Sequence, residues 1–574
     1  MTRRRLVGLA VLFVAGSLGA TTHAAPPAET ADLVLTGASV VTLDPARPRA
    51  TAIAVRAGRI LRVGSDAEVQ ALAGPRTRRL ALAGRAVVPG LADAHAHVES
   101  LGESLEELSL VGATSLEEVL ERVRRASAAL PPGEWLQGRG WDQNDWTEKR
   151  FPTAADLDRA AGDRPVYLSR IDGHAGWANT KAMTAAGLTA STPDPAGGRL
   201  LRDASGVPSG VLVDAAMSLV TSKIPAPSKA VRKRRLARGL RACAEAGLTS
   251  VHDAGITIDT IALYKELLAE HALPVRVYAM IHGPDAGPGD FLAQGAALRP
   301  EIGLGDGRLT VRAIKVVADG ALGSRGALLL APYSDEPGTK GLLTVDPSLF
   351  REVLRQAVAR GFQVNTHAIG DGANRFVLDA YQAALAGLAG GGADRRFRIE
   401  HAQVLAPEDV PRFKSLGVIP SVQPTHCTSD MYWATDRVGP ERAKGAYLWQ
   451  TFLKQGVVLA AGSDAPVESI AVLPGLYAAV TRQDAKGWPA GGWHPEERVT
   501  VEEALRMFSE GAAYAAFEEK ERGRITAGMR ADLTVLGKDP TAIAPVELLT
   551  TPVVMTIVGG VVEYDGSKGK AQAR

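Results

Sequence analysis

The residues of this chain that could do chemistry are histidines and an aspartate placed where apolar segments end. His95 and His97 are separated by one residue at the end of such a segment. In an extended strand, residues two apart point to the same side, so both imidazoles can reach one metal ion. Taken alone, the pair also fits two polar residues on an exposed strand. Its interpretation therefore depends on the rest of the chain.

Three later apolar segments end in the same way. They close on His367, His401 and Asp464, which are residue types that bind metals. If these segments are parallel strands of one barrel, their carboxyl ends lie on one rim and the side chains point into one cavity. Zinc suits such a histidine-rich set best, and manganese, iron or cobalt would also fit. The pattern predicts a divalent metal site.

The elements that would position these groups are eight apolar strand candidates that alternate with helical patterns. Such alternation is typical of βα units and a parallel sheet, and eight is the strand number of a (β/α)₈ barrel. The candidates are 86–97, 248–254, 275–281, 311–318, 362–368, 397–404, 418–422 and 457–462. We therefore predict an α/β protein with a TIM-type barrel over 89–521.

Two further regions differ from the barrel pattern. Short alternating segments punctuated by glycine occur near both ends of the chain and predict antiparallel β structure. We interpret 31–88 and 522–565 as one small β-sandwich domain completed by both termini. The stretch 99–235 is too long for a single barrel helix. We interpret it as an inserted lid subdomain over the barrel mouth.

The first 24 residues have the order of an export signal. Arg3, Arg4 and Arg5 precede the apolar stretch 6–20, and small residues follow it. This order predicts a signal peptide over 1–24 and a bacterial protein that is periplasmic or secreted, by the Sec or the twin-arginine route. The stretch is shorter than the ~20 residues that span a bilayer. We expect no stable membrane insertion after the signal is removed.

The composition argues against several other classes of protein. Of the 574 residues, 46% are hydrophobic and 22% are charged, and the net charge is +2. The longest basic run, 232–235, lies in a helical pattern and fits a solvated helix face, so no nucleic-acid partner is expected. Two cysteines do not make a disulfide framework. The expected partner is a small-molecule substrate, and the sequence leaves a homodimer open.

Several motifs resemble those of a known family. They are PGLADAHAH at 89–97, DGHAGW at 172–177, IKVVADGALGSR at 314–325, NTHAIGD at 365–371 and GSDAP at 462–466. Together they resemble the amidohydrolase superfamily, and more narrowly amidohydrolase family 3 in its YtcJ-like branch, which is similar to N-substituted formamide deformylase. The resemblance covers roughly residues 32 to 562. It is specific for the family and poorly specific for the substrate.

The resemblance implies a centre of two metals with particular ligands. His95 and His97 would bind the first metal together with Asp464. His367 and His401 would bind the second. This assignment places every ligand at a predicted strand end.

The resemblance also implies a bridge between the metals, made by Lys315 in N6-carboxylated form. A charged lysine inside an apolar strand is costly, and addition of CO₂ converts it into an anionic oxygen ligand that two cations can stabilise. The alternative is a lysine that reaches to solvent or pairs with Asp319. In that case the site keeps one metal.

The implied reaction is hydrolysis of an amide-type C–N bond, as in an N-acyl or N-formyl small molecule. Divalent metals lower the pKa of a bound water from ~15.7 towards ~7 and polarise a carbonyl group. Asp464 would orient that water, take its proton and deliver it to the leaving nitrogen. This assigns the chain to the hydrolases of carbon–nitrogen bonds other than peptide bonds.

Other residues are candidates for contact with a substrate. His174 and Arg325 could hold a polar or carboxylate group, and Trp141 could line an apolar pocket of the lid; the alternatives are local structural contacts and core packing. His252 closes the second strand candidate and fits a supporting role behind the ligands. His426 closes the seventh and could face the cavity, but has no ligand-like context.

Two alternative functions are compatible with the predicted fold. One is an esterase, lactonase or deaminase on the same metal barrel. Deaminase relatives usually keep one metal and an acidic residue near strand five in an H-A-x-E pattern, which is absent here. The other is a catalytically silent binding protein. The presence of all six proposed ligands argues against a decayed site.

Overall fold

Eight parallel strands form a nearly closed barrel in the middle of the chain. The computed structural model describes residues 30–131, 133–143, 146–170, 175–195, 198–284, 289–323 and 325–569. The barrel strands, numbered β1 to β8, are Leu91–Ala96, Leu248–Ile256, Arg276–His282, Leu309–Val317, Gln363–Ala368, Arg398–His401, Ile419–Val422 and Ala460–Ala461. Each is paired in parallel with the next in chain order. The predicted α/β barrel of eight strands is confirmed.

The barrel closes just beyond the ends of β1 and β8. No ladder joins these two strands within the described ranges. Instead, the backbone N–H of Asp464 donates to the carbonyl of His95 at 2.7 Å, and that of His97 donates to Ala465 at 2.8 Å. The closing contacts therefore involve the segments that carry three of the predicted ligands.

Helices cover the outside of the barrel, so its strands are buried on both faces, as a parallel sheet requires. The longer barrel helices are Lys229–Glu245, Ile258–Ala269, Pro347–Arg360, Asp371–Leu385 and Val472–Thr481. Shorter helices are Val98–Ser104, Gly289–Ala293, Leu304–Gly307, Val410–Leu416, Pro424–Asp430, Ala434–Val438, Pro440–Ala443, Trp449–Lys454, Val501–Arg506 and Ala512–Ala515. Within the described residues, no helix is both long enough and apolar enough to cross a membrane.

The helix before β5 shows how the sequence sets such an element. Asp346 caps Pro347–Arg360 by accepting hydrogen bonds from two backbone N–H groups, and proline occupies the first turn. Its buried positions, Phe350, Val353, Leu354 and Ala357, follow the helical repeat and face the barrel. The helix ends at Gly361 with a φ of 81°, where glycine is favoured.

Two small sheets lie outside the barrel, and only the second combines strands from both ends of the chain. The first contains Ala31–Thr36, Ala52–Arg56, Arg59–Gly64 and Ala73–Ala81, and the second Ser39–Val41, Arg49–Ala50, Ala86–Pro89, Leu533–Leu536, Val553–Val558 and Val561–Asp565. Leu35 and Ile53 of the first sheet share one buried cluster with Val87 and Leu533 of the second. The description of 31–88 and 522–565 as a separate β-sandwich domain stays a prediction. The predicted signal segment 1–24 lies outside the described residues.

The first predicted barrel strand, 86–97, was wrong as a single strand. Ala86–Pro89 pairs with Leu533–Leu536 in the second terminal sheet, and only β1 belongs to the barrel. Gly90 separates the two, and a Cβ atom there would lie 2.3 Å from Oγ1 of Thr249. The change of sheet thus occurs at a position that has no room for a side chain.

A third sheet is inserted between β1 and β2. Its six strands are Leu108–Ser109, Leu136–Trp141, Val166–Arg170, Ala175–Ala178, Gly198–Arg202 and Pro208–Asp214, accompanied by the helices Leu116–Ala129, Ala154–Ala161, Thr180–Ala185 and Ser218–Thr221. The helices that flank it in the chain, Val98–Ser104 and Lys229–Glu245, pack on each other through Gly102, whose added Cβ would lie 1.8 Å from the carbonyl oxygen of Arg235. This contact ties the two ends of the insertion together.

A buried ion pair joins the barrel to the terminal sheets. Arg276, at the start of β3, donates from Nε and Nη2 to the two carboxylate oxygens of Asp532 at 2.7 and 3.0 Å. Asp532 precedes the strand Leu533–Leu536 and also accepts from the N–H of Gly559 at 2.8 Å. Burial raises the pKa of Asp532, but the charge and hydrogen bonds of Arg276 outweigh it, so the net pKa lies below its ordinary value.

We predict that Asp532→Asn destabilises the protein by about 3–5 kcal/mol at pH 7, because it leaves the Arg276 charge buried and unpaired. A carboxyl whose folded pKa is lowered contributes stability that is fully present above the unfolded pKa, about 3.9, and is lost as the pH falls through the folded pKa. Urea unfolding at pH 7 and at decreasing pH measures both effects, and the variant should lack the acid-dependent part contributed by Asp532.

The matched control is Glu270→Gln, which removes an ion pair to Lys233 from a largely exposed carboxylate. Exposed pairs contribute little to stability, so this variant should resemble the wild type. Equal unfolding curves for Asp532→Asn and Glu270→Gln would contradict the role given to the buried pair.

Candidate metal centre

Four histidines and an aspartate meet at the carboxyl rim of the barrel. His95 lies in β1, His367 in β5 and His401 at the end of β6. The ring centroid of His95 is 5.5 Å from that of His97 and 5.1 Å from that of His401, which is 4.5 Å from His367. Asp464 follows β8 on the same rim. The structure thus brings together residues that are far apart in the sequence.

The first predicted ligand group is formed. His95, His97 and Asp464 each offer a ligand atom, and these atoms lie within 4.8 Å of one another. Nε2 of His97 is 3.2 Å and Nε2 of His95 is 3.5 Å from Oδ1 of Asp464. His95 is fully buried, whereas His97 is partly exposed to the cavity. Both imidazoles therefore converge on one carboxylate oxygen.

A second group of ligand atoms within 4.8 Å of one another is made by His401, His426 and Asp464. Nε2 of His426 lies 3.7 Å from Oδ2 of Asp464. The rings of His401 and His426 are stacked, with an interplanar angle of 13° and centroids 5.8 Å apart. Oδ1 of Asp464 therefore faces His95 and His97, and Oδ2 faces His426. The sequence analysis noted His426 at a strand end but gave it no ligand role.

His367 lies at the edge of this second group. Its Nε2 atom is 3.4 Å from Oδ1 of Asp319, without forming a hydrogen bond within the described residues. The Asp319 carboxylate is already satisfied by three backbone N–H groups at 2.9 to 3.0 Å. The ligand role of His367, which the resemblance implies, stays a prediction. The nearness of His367 to His401 supports it.

Lys315 is buried in β4 and reaches the centre of the site. Its Nζ atom lies 3.0 Å from Nε2 of His95. The structure thus directs Lys315 to His95 and not to Asp319, the partner considered in the alternative reading. Burial lowers the pKa of Lys315, and the charges of Glu400 and Asp464 oppose this shift. A lowered pKa increases the share of neutral amine, the form that reacts with CO₂.

Three of the histidines are held through Nδ1. The acceptors are Glu400 Oε2 for His95 at 2.5 Å, the Ala254 carbonyl for His97 at 2.9 Å, and Gln423 Oε1 for His401 at 2.7 Å. A proton on each Nδ1 places the lone pair on Nε2, which is the tautomer that a metal ligand needs. These acceptors are functional residues that the sequence analysis missed, because nothing in their spacing pairs them with histidines on other strands.

A buried ion pair holds Glu400, the residue that accepts the hydrogen bond from His95. Nε of Arg398 lies 2.8 Å from Oε1 of Glu400, and both side chains are fully buried. Burial raises the pKa of Glu400, but Arg398 and His95 lower it well below its ordinary range. Arg398 also reaches Nδ1 of His252 at 3.0 Å. His252 thus contacts the supporting pair, as the sequence analysis expected of it.

The protonation states suit metal binding at neutral pH. Burial, followed by the charge of Lys315, lowers the pKa of His95 to about 4. Burial raises the pKa of Asp464, but the neighbouring imidazoles, led by His97, hold it well below its ordinary range. Burial also lowers the pKa of His401. At neutral pH the site therefore presents the neutral imidazoles of His95 and His401 beside the ionised carboxylate of Asp464.

Two backbone conformations at the site are ones that side chains rarely adopt. His401 has a φ of 73° and Asp464 a φ of 61°. Such left-handed conformations cost non-glycine residues of order 1 kcal/mol or more, and they persist where the surrounding structure enforces them. At His401 the turn follows Glu400, whose side chain already faces the barrel interior.

The donor set fits divalent metal ions. Imidazole nitrogens and a carboxylate are the ligands that zinc and its neighbours prefer. The Nε2 atoms of His367 and His426 are buried and have no hydrogen-bond partner among the residues that the structure covers. A buried polar atom without a partner is costly, and a bound cation would satisfy both.

The predicted substrate contacts lie elsewhere or outside the described residues. Trp141 is fully buried in the core of the inserted sheet, where its Nε1 donates to the carbonyl of Leu168 at 2.9 Å. This placement favours the core-packing alternative. Arg325 is paired with Asp335 at 2.9 Å. His174 lies outside the described residues. Their roles in substrate binding stay predictions.

A nearly closed barrel of eight parallel strands, with histidine and aspartate ligands on its carboxyl rim, defines the metal-dependent hydrolases of the amidohydrolase superfamily. Comparison with known families agrees with this class. A model of the amidohydrolase family matches residues 80–564. The chain belongs to the amidohydrolase family, as the motifs predicted.

Individual relatives cover nearly the whole chain. YtcJ of Bacillus subtilis (strain 168), named as an amidohydrolase, is 34% identical over 525 residues, which make up 90% of this chain and 97% of that protein. N-substituted formamide deformylase of Arthrobacter pascens is 31% identical over 557 residues, 93% of this chain and 98% of that protein. The crystal structure of an uncharacterized metal-dependent hydrolase from Pyrococcus furiosus superposes with a TM-score of 0.73 at 29% identity, covering 89% of this chain and 99% of that one.

Proposed function

We propose that this metal-dependent hydrolase cleaves an amide-type C–N bond in a small N-acyl or N-formyl compound. The observation that carries the proposal is the ionised, largely buried carboxylate of Asp464 between two groups of histidines. The similarity of the whole chain to the deformylase of Arthrobacter pascens supports nitrogen as the leaving atom. Hydrolysis of an ester or lactone, or deamination, is the alternative on this scaffold.

The metals, which we propose to be two zinc ions, would supply the Lewis acidity that lowers the pKa of water and polarises a carbonyl group. His95 and His97 would hold one ion with Oδ1 of Asp464. His401 would hold the other with His367. The Nδ1 hydrogen bonds keep the ring planes fixed, so little ordering is left to be done when the ions bind.

Asp464 would move the proton during the reaction. It is ionised at neutral pH, so it can accept a proton from the attacking water at the cavity. An amine leaves poorly unless it is protonated, and Asp464 is the carboxylate on the rim that faces both histidine groups. It would therefore pass the proton to the leaving nitrogen. Burial among imidazoles keeps bulk water from competing for this proton.

We also propose that the inserted sheet serves as a lid. A cavity of about 540 Å³ is lined by Ser100 and Ser104 of the first helix after β1, by Ser109 and Arg139 of the insertion, and by Pro466 after Asp464. It therefore joins the insertion to the segment that carries the proton-transfer group. Its volume suits a small-molecule substrate.

The order of charged, apolar and small residues at the start of the chain supports a further proposal. The mature protein would begin near residue 25 and act in the periplasm or outside the cell. In such a location the enzyme would meet compounds that come from outside the cell.

We predict that Asp464→Asn abolishes amide turnover and spares part of the turnover of an activated aryl ester. The reason is that an amine needs the proton from Asp464, whereas a good alcohol leaving group departs without it. The measurement is kcat/KM for matched N-acyl amides and aryl esters, with elemental analysis to show that the variant keeps its metals.

The wild-type enzyme provides the decisive comparison. Efficient cleavage of esters or lactones, together with no turnover across a broad panel of N-acyl and N-formyl compounds, would reject the amide assignment. The barrel and its ligand groups would be unaffected by that result.

We further propose that Lys315 is N6-carboxylated and bridges the two ions, because its amine is buried, has a lowered pKa and lies 3.0 Å from Nε2 of His95. Lys315→Ala should lose bound metal and activity together, since it removes an anionic ligand. Added bicarbonate or short carboxylates should restore part of both by occupying the space. A Lys315→Ala enzyme that retains two metals and full activity would exclude the bridge.

A further inference from the structure

We propose that His426 is a metal ligand, and that it holds the second ion together with His401 and Oδ2 of Asp464. Neither the motifs nor the family resemblance gives His426 this role. The inference rests on the metal-dependent class of the enzyme and not on the choice of an amide substrate. It adds one ligand to the proposed set and leaves His367 in place.

The separations between the ligand atoms fit metal binding better than hydrogen bonding. Nitrogen and oxygen atoms that bind one ion at about 2.0–2.2 Å with tetrahedral angles lie roughly 3.3–3.6 Å apart. Nε2 of His426 is 3.7 Å from Oδ2 of Asp464, beyond hydrogen-bond range, and Nε2 of His95 is 3.5 Å from Oδ1. The His95 separation lies within this range, that of His97 at 3.2 Å lies just below it and that of His426 lies just above it.

The Nε2 atom of His426 is buried and makes no hydrogen bond within the described residues. The side chain as a whole is 14% exposed. Burial of a polar atom without a partner costs free energy. The atom is directed towards an ionised carboxylate, and a cation between the two would satisfy both.

The chain after β7 supports the same role. Gln423 ends the strand segment and accepts the hydrogen bond from Nδ1 of His401 at 2.7 Å. The helix Pro424–Asp430 begins at once, with proline in its first turn, and the N–H of His426 donates to the carbonyl of Gln423 at 3.1 Å. One short segment thus orients the first ligand of the second ion and supplies another.

The ring arrangement agrees with joint binding. The imidazoles of His401 and His426 are nearly parallel, at 13°, with centroids 5.8 Å apart. Both lie within reach of Asp464, which provides the negative charge that the ion needs.

The test is metal binding by the full chain, without substrate. Protein stripped with a chelator is titrated with Co²⁺, and the number of ions, their affinities and the visible absorption bands are recorded. The wild type should bind two ions. His426→Ala should keep the first and weaken the second by at least about tenfold, since even residues behind the ligands contribute 10–100-fold.

Two further variants complete the design. His426→Asp keeps a metal-binding side chain, so it should bind two ions with a changed absorption spectrum. His271→Asn removes an exposed histidine that follows the helix Ile258–Ala269, and asparagine tolerates its φ of 55°. This control should behave as the wild type does.

Two results would overturn the proposal: two ions bound by His426→Ala with wild-type affinities, or one ion bound by the wild type. The first result combined with lost turnover would assign His426 to the substrate. Because no substrate enters the titration, failure of the amide assignment leaves these outcomes unchanged.

Discussion

The carboxylate of Asp464 is the group on which the rest of the site depends. Its backbone N–H makes the 2.7 Å hydrogen bond to His95 that helps to close the barrel, and its two oxygens face the two histidine groups. The backbone contact that helps to close the barrel and the two histidine groups therefore share Asp464. Its left-handed backbone, with a φ of 61°, is maintained because the contacts on both sides outweigh the local strain.

A charged carboxylate inside a barrel must be compensated, and the arrangement around it does this in layers. Lowered pKa values keep His95 and His401 neutral at pH 7, and their Nδ1 atoms are hydrogen-bonded to Glu400 and Gln423. Behind them, Arg398 balances the charge of Glu400 where both are fully buried. Removing one member would leave another buried without a partner, so we expect each substitution in this network to be destabilising.

The sequence predicted those parts of this architecture that follow from local pattern. The order of residues shows apolar strands of the right length, helices between them and candidate ligands at strand ends. From these features the barrel could be predicted, with His95, His97, His401 and Asp464 on one rim. The change of sheet at Gly90 was not visible, because Ala86–Pro89 and β1 have the same apolar texture.

The contacts between strands could not be predicted in this way. Glu400 meets His95 because the barrel curves, and Gln423 meets His401 because β6 and β7 pair with Glu400 opposite Ser421. No spacing along the chain encodes either contact. The same limit applies to Trp141, whose type suits a pocket and whose position is in the core of the insertion. His426 was visible as a residue at a strand end, but its aim at Asp464 required coordinates.

The central claim, that Asp464 joins two metal-binding groups, is tested most directly by crystals of the active enzyme measured at the absorption edge of its metal. The account predicts two peaks in the anomalous difference map, one on the side of His95 and His97 and one on the side of His401, each about 2.0–2.2 Å from an oxygen of Asp464. A map from fully active enzyme with no peak beside Asp464 would contradict it.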